Sequence, residues 1–330
     1  VAETEIPGFV DLQVNGWRGV DFSSPDLQEE GFVQVCRELA NAGTAAFLPT
    51  LITAPLELYE RNLPLMAGLM ERPEIGRHAL GFHLEGPFIS AEEGARGMHR
   101  SEWIRHPDAS LIDHLQRIAR GRIKMITMAA ELPGAAEAAH HAAKLGIVVS
   151  LGHHLADVQA INRLADAGAR ALTHLGNGVP EQLHRHRNPI WAGLAVEGLS
   201  AMIVADGHHL PDTLLRVVLK TKGVSGTVVV SDASPLAGLA PGAYEWGGVS
   251  VILEQNGLLH QARGPYLAGS SATLLFCMNH LAALGVLAPD ELLRLGHTNP
   301  LLLIGTHPPR SSGGAAVRFD RESGRFTLVG

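Results

Sequence analysis

Eight short apolar, β-branched runs recur along the chain, most of them followed by a stretch of helical periodicity. This alternation limits the fold to repeated βα units around a parallel sheet. The runs are Gly8–Val14, Ala45–Leu48, His78–Leu84, Lys124–Ala129, Ile147–Leu151, Ala169–His174, Ala201–Ala205 and Thr227–Val230. Helices are predicted near Leu27–Ala40, Leu56–Met70, Ala135–Lys144, Ala156–Ala167, Pro211–Lys222 and Ser271–Leu284. Eight successive strands fit a closed α/β (β/α)8 TIM-like barrel better than an open sheet, and 330 residues are enough for one. The barrel is expected over residues 1–305. Between the last strand and its helix, residues 243–260 alternate apolar and polar positions around Asn256-Gly257, which predicts an inserted β-hairpin. Residues 306–330 begin rich in Pro, Ser and Gly and end in two short candidate strands, the expected remnant of a small β domain.

Composition removes several classes of function. The net charge is -7 and no lysine/arginine block occurs, so nucleic acid is not an expected partner. No apolar run reaches the length of a membrane span and no signal-peptide pattern opens the chain, so a cytoplasmic location is expected. The two cysteines, Cys36 and Cys277, each sit in an apolar helical stretch and supply neither a disulfide framework nor a metal site. Histidine is abundant, at 18 residues, so position must separate the chemical ones from the rest.

In a parallel barrel the active site lies at the carboxyl ends of the strands. Polar residues collect there: Asp11, Gln13 and Asn15 on strand one, His83 and Glu85 on strand three, His153-His154 after strand five. His174 and Asn177 follow strand six, Asp206, His208 and His209 follow strand seven, and Ser231-Asp232 follows strand eight. One carboxylate and two imidazoles from three strands can converge on a cation, and such a set with open positions is that of a hydrolytic zinc site. An unliganded aspartate one strand further around is then free to move protons.

These blocks resemble the N-acetylglucosamine-6-phosphate deacetylase family of the amidohydrolase superfamily. The resemblance runs from Pro7-Gly-Phe-Val-Asp-Leu-Gln-Val-Asn-Gly16 to Asn299-Pro300. It passes through Gly81-Phe-His-Leu-Glu-Gly-Pro87, Gly97-Met-His99, Gly152-His153, Thr173-His-Leu-Gly-Asn177, Ala205-Asp-Gly-His-His209, Ser231-Asp-Ala233 and Leu267-Ala-Gly-Ser-Ser271. The resemblance implies Glu85, His153 and His174 as metal ligands, Asp232 as general base and then acid, and His99 as the group that polarises the substrate carbonyl. Substrate contacts are implied for Met98, His99, Asn177, Gly178, Asp206, His209, Leu267, Ala268 and Gly269. Arg187 is the implied phosphate contact, reached across a homodimer interface. Strand one carries Gln13-x-Asn15 where many amidohydrolases carry His-x-His. Amides are poor transition-metal ligands beside imidazole and carboxylate, so one divalent cation is expected, zinc first, with Fe2+, Co2+ or Mn2+ as alternatives.

The chain departs from the family in the loop after strand six, with Gly176 and Gly178-Val179 in place of an aromatic residue and Ala-Met, and with an inserted His184-Arg-His-Arg187. The expected activity is metal-dependent removal of the N-acetyl group of N-acetylglucosamine 6-phosphate, giving glucosamine 6-phosphate and acetate. The alternatives are deacylation of another N-acyl amino sugar, with or without a phosphate, or of an N-acyl amino acid, and a non-catalytic sugar-phosphate binder. His83 is expected to line the barrel behind Glu85. His154 and His208 are expected to point away from the site by strand alternation.

Overall fold

The computed structural model describes residues 5–307, 314 and 316–329. Eight parallel strands form one sheet: β1 Phe9–Val14, β2 Thr44–Ile52, β3 Phe82–Glu85, β4 Ile123–Met128, β5 Val148–Leu151, β6 Ala169–Leu172, β7 Ser200–Val204 and β8 Thr227–Val230. Neighbours in the sheet are neighbours in sequence from β1 to β8. The two end strands then meet through a parallel bridge between Val14 and Ala233 and an Asn15 N–H to Ala233 carbonyl bond of 2.8 Å. Asp11 adds to this closure by accepting the backbone N–H of Ser231 at 3.1 Å. The result is a nearly closed TIM-like barrel.

Burial on both faces explains the continuous apolar runs. Val10, Leu12, Ala46, Leu48, Met125, Ala171, Met202, Val204, Val228 and Val230 form one cluster, with Leu301 and Ile304 packed onto it. The alternate residues Ala201, Ile203 and Val229 belong instead to the larger core shared with the helices. That core receives Phe32, Val35, Cys36 and Leu39 from α1 (Glu29–Asn41), a spacing that puts all four on one helical face. The remaining main helices are α2 Leu56–Leu69, α3 Ala109–Ile118, α4 Ala135–Lys144, α5 Val158–Asp166, α6 Pro189–Ala195, α7 Asp212–Lys222 and α8 Leu274–Ala283. Helices α3 and α6 follow long loops, where the sequence periodicity predicts none. Among the described residues no helix is long and apolar enough to cross a membrane.

Above the apolar layer a polar one crosses the barrel. His83 Nδ1 lies 3.0 Å from the Leu12 carbonyl and its Nε2 lies 2.7 Å from Thr127 Oγ1. Thr127 contacts Thr173 at 2.7 Å, and Thr173 contacts Ser150 at 2.6 Å. A carbonyl only accepts, so His83 carries its proton on Nδ1 and its Nε2 accepts from Thr127. Every hydroxyl direction follows: Ser150 donates to Thr173, Thr173 to Thr127, Thr127 to His83. Gly152 makes room for this chain, since a Cβ there would lie 2.7 Å from the Cβ of Thr173.

Two sequence expectations change in detail. The third strand begins at Phe82 rather than His78, because Gly81 takes a positive φ of 146° and breaks the extended run. The inserted hairpin is a three-stranded antiparallel sheet of β9 Gly242–Trp246, β10 Val249–Leu253 and β11 Leu259–Gln261. The additional turn falls at Gly247-Gly248, both with positive φ. In the tail, β12 Ala316–Asp320 and β13 Arg325–Val329 form a hairpin, and Glu5–Ile6 adds to it beside β12. The Pro/Ser-rich start of the tail lies largely outside the described residues.

Candidate active site

The carboxyl ends of the strands open on a cavity of about 450 Å³. Asn15, Glu85, Met98, His99, His153, His174, Asn177, Gly178, His209, Asp232, Leu267 and Gly269 border it, together with an apolar wall that includes Ile52 and Trp246. Of the residues given a metal, catalytic or substrate role in the sequence, Arg187, Asp206 and Ala268 do not. Arg187 is exposed on the loop before α6, with its backbone N–H on His184 Nδ1 at 3.0 Å. Ala268 is buried in the core of the β9–β11 sheet. Asp206 stands behind His209, binding its Nδ1 at 2.8 Å.

Glu85 ends β3, while His153 and His174 directly follow β5 and β6. Glu85 Oε1 lies 3.1 Å from His153 Nε2 and 2.9 Å from His174 Nε2, and the two Nε2 atoms are 3.0 Å apart. His153 Nδ1 contacts the Ala95 carbonyl at 2.8 Å. That nitrogen therefore carries a proton, and Nε2 faces Glu85 and His174. Nδ1 of His174 is buried with no protein partner among the described residues. Three electron-rich atoms held this close, with only the histidine protons to keep them together, suit a cation. Burial opposes a charge on Glu85, yet contact with His153 and His174 outweighs it and holds the carboxyl well below the usual range.

A second set that could hold a metal ion, Glu85, His99 and His153, has its ligand atoms within 4.8 Å of one another. The hydrogen bonds of His99 argue against its joining. The backbone N–H of Thr53 donates to His99 Nδ1 at 3.2 Å, and the Thr53 hydroxyl lies 2.8 Å from the same atom. His99 Nδ1 is thus an acceptor, so Nε2 carries the proton and has no lone pair to give. Burial, reinforced by His153, pushes the His99 ring down to about 3, so it stays a neutral N–H donor at the edge of the cavity.

Asp232 follows β8. Its Oδ1 accepts from Asn15 Nδ2 at 2.8 Å and from Gln13 Nε2 at 3.0 Å, and the same Gln13 nitrogen reaches Glu85 Oε1 at 2.9 Å. The strand-one amides therefore act as donors that tie two buried carboxylates together. Oδ2 is left toward His209, whose Nε2 is 3.9 Å away. Burial and the charge of Glu85 push the Asp232 carboxyl up to about 6, against the pull of His174, His209 and Asn15. His153, His174 and Asp232 all have positive φ (51°, 30° and 51°), three of the five non-glycine residues that do among the described residues. Backbone held in that region gathers at functional sites.

His154 does point away, its Nδ1 accepting the Ala156 N–H at 3.2 Å. His208 does not: it borders the same cavity as His209, with Nε2 3.1 Å from the Asn256 carbonyl. Strand alternation fails there because both residues lie in a turn in which Asp206 Oδ1 accepts the N–H groups of His208 and His209 at 2.9 Å each. Thr53 ends a block, Leu48-Pro-Thr-Leu-Ile-Thr53, that also resembles the family, but the sequence gives no sign that it sets the His99 tautomer, nor that Trp246 and Tyr266 form the wall. Trp246 belongs to the period-2 pattern of the insert, but nothing local marks it as facing the site.

Comparison with known proteins agrees with this architecture. The Amidohydrolase family model matches residues 4–301. The N-acetylglucosamine-6-phosphate deacetylase of Bos taurus is 34% identical over 311 residues, covering 91% of this chain and 74% of its own length. An N-acetylgalactosamine-6-phosphate deacetylase of Escherichia coli O157:H7 is 29% identical over 92% of this chain and 79% of its own. The crystal structure of N-acetyl-D-glucosamine-6-phosphate deacetylase from Mycobacterium smegmatis superposes with a TM-score of 0.88 at 26% identity, covering 99% of this chain and 86% of that one.

The raised Asp232 carboxyl gives a stability test on metal-free protein. A folded-state value above the unfolded one means that stability is lost as pH rises through about 6, because the folded chain must then bury the charge. Asp232→Asn keeps the acceptor for Gln13 and Asn15 and removes the charge. The variant is expected to melt higher than the parent at pH 8, by an amount on the order of 2 kcal/mol, and to lose that advantage by pH 4. Paired thermal melts across this range measure it.

Proposed function

We propose that this chain, which belongs to the amidohydrolase family, removes the N-acetyl group of N-acetylglucosamine 6-phosphate to give glucosamine 6-phosphate and acetate. One observation carries the reading: a Glu–His–His cluster, a neutral N–H donor and a carboxyl poised near neutral pH border a single cavity. These are the parts that amide hydrolysis needs, namely a site for a cation, a donor for the developing oxyanion and a group that takes and returns a proton. The relatives at about a third identity carry the substrate assignment.

Glu85 Oε1, His153 Nε2 and His174 Nε2 are the proposed ligands of one divalent cation, zinc first, which when bound supplies Lewis-acid polarisation and a water of lowered pKa. Asp232 Oδ2 takes the proton of the attacking water. His99 Nε2–H donates to the carbonyl oxygen as negative charge gathers on it. Asp232 then passes its proton to the nitrogen, so that an amine leaves rather than an amide anion. Gln13 and Asn15 neutralise by hydrogen bonding what a second cation would neutralise by charge. The 6-phosphate is assigned to Arg187 of a second copy in a homodimer, with His209 and Asn177 holding the sugar.

A second reading, deacetylation of an unphosphorylated amino sugar, has one observation in its favour. No lysine or arginine borders the cavity among the described residues, and Arg185 and Arg187 lie outside it on an exposed loop.

Acetate release from N-acetylglucosamine with and without the 6-phosphate separates the two. The proposal expects a strong preference for the phosphorylated sugar, reduced by Arg187→Ala through a raised KM; equal rates on both sugars support the second reading. Asp232→Asn is expected to lower kcat by about 10²- to 10⁴-fold with the cation still bound, and near-parental turnover would remove it as the base. Elemental analysis of chain purified without chelator is expected to give about one transition metal per chain, whereas two tightly held ions would contradict the donor role of Gln13 and Asn15.

A further inference from the structure

Asn15 has a group that the chemistry above leaves unused. Its side chain is buried at 2% exposure and borders the cavity beside Asp232. Its Nδ2 donates to Asp232 Oδ1 at 2.8 Å, and its Oδ1 has no partner among the described residues. The amide cannot simply be turned over, because that would set its oxygen against a carboxylate oxygen at hydrogen-bond distance. A buried acceptor left empty costs about 1–3 kcal/mol, so an orientation fixed this way asks for a donor from the ligand.

We propose that Asn15 Oδ1 accepts the N–H of the scissile amide, making Asn15 a catalytic residue that positions the leaving nitrogen for the Asp232 proton. An acceptor-only atom selects a donor. In an N-acyl amino sugar, the donor attached to the reacting centre is the amide N–H. When the C–N bond breaks, its electron pair stays on nitrogen, which takes the proton from Asp232 Oδ2. The original N–H remains on Asn15 Oδ1 throughout, so the nitrogen lone pair is turned toward the acid. One amide side chain thus holds the acid by its Nδ2 and the group to be protonated by its Oδ1. Gln13 shares the first contact, binding Asp232 Oδ1 at 3.0 Å, and its Oε1 is likewise buried without a partner among the described residues; but Gln13 does not border the cavity, so the difference between the two amides is reach to the ligand.

The inference rests on the deacetylase reading, and the test keeps the two apart. Hydrolysis of the N-acetyl sugar phosphate is compared with that of its 2-O-acetyl analogue, which keeps every other group and lacks the N–H, in the metal-loaded parent, Asn15→Ala and Gln13→Ala. Asn15→Ala is expected to lower the amide-to-ester ratio of kcat/KM by about tenfold, the loss of one hydrogen bond made only to the amide. Gln13→Ala, which removes a donor to Asp232 and Glu85 but no contact to the ligand, is expected to leave that ratio within about twofold of the parent. Equal shifts in both variants would mean that Asn15 acts only through Asp232 and would overturn the proposal, as would an unchanged ratio in Asn15→Ala. A parent chain that cleaves neither substrate would instead sink the deacetylase reading. Where Asn15→Ala does not fold by circular dichroism, Asn15→Ser serves the same comparison.

Discussion

The arrangement of the site depends on two buried carboxylates held within reach of the same amide. Glu85 and Asp232 both bind Gln13 Nε2, at 2.9 and 3.0 Å, and Asn15 adds a further donor to Asp232. Two carboxylates this close repel, and burial magnifies the repulsion. The structure resolves the conflict unevenly. Glu85 is surrounded by imidazoles and stays ionised, while Asp232 receives only neutral donors and is pushed up to about 6. Unequal surroundings divide the labour: one carboxyl suits a cation, and the other suits proton transfer near neutral pH.

That division needs strand one to stand next to strand eight, so barrel closure and chemistry are the same event. Asn15 holds Ala233 through its backbone and Asp232 through its side chain, while Asp11 grips Ser231 from below. Beneath the cluster, the Ser150–Thr173–Thr127–His83 chain crosses from β6 and β5 to β1, one layer under His174, His153 and Glu85. Its hydroxyls have only one consistent set of proton positions. A fully satisfied polar layer of this kind fixes strand register in a way that apolar packing, tolerant of small slips, does not.

Much of this was legible in the sequence, and the reason is geometric. A strand buried on both faces is mostly apolar until it leaves the barrel, so ionisable residues gather at the mouth. Glu85, His153, His174 and Asp232 all stand at such strand ends, and the structure brings them together. What the sequence hides is direction. Nothing in Gln13-x-Asn15 tells whether amides face a cation with oxygen or a carboxylate with nitrogen; only the position of Asp232 decides it. The tautomer of His99 is likewise set by Thr53, 46 residues away in the chain. His208 escaped because alternation was applied to a turn. The three-stranded insert was read as one hairpin because Gly247-Gly248 turns the chain within what looked like a single strand.

His153, His174 and Asp232 each take a positive φ two residues past the end of a strand, where the chain would otherwise continue along the barrel wall. A non-glycine residue in that region is strained, and the strain is held by the side chains themselves: His153 by Ala95 and Glu85, His174 by Glu85, Asp232 by Asn15 and Gln13. Gly178, also at positive φ, lies against two of these rings, where a Cβ would sit 3.0 Å from His153 Nδ1 and 3.1 Å from His174 Cε1. The loop that follows it carries Arg185 and Arg187 and is exposed. Strain and close packing thus concentrate on the Glu85, His153, His174 and Asp232 cluster, while the basic residues outside are left free of both. A cluster built this way holds its geometry firmly, and the exposed loop can vary in sequence without disturbing it.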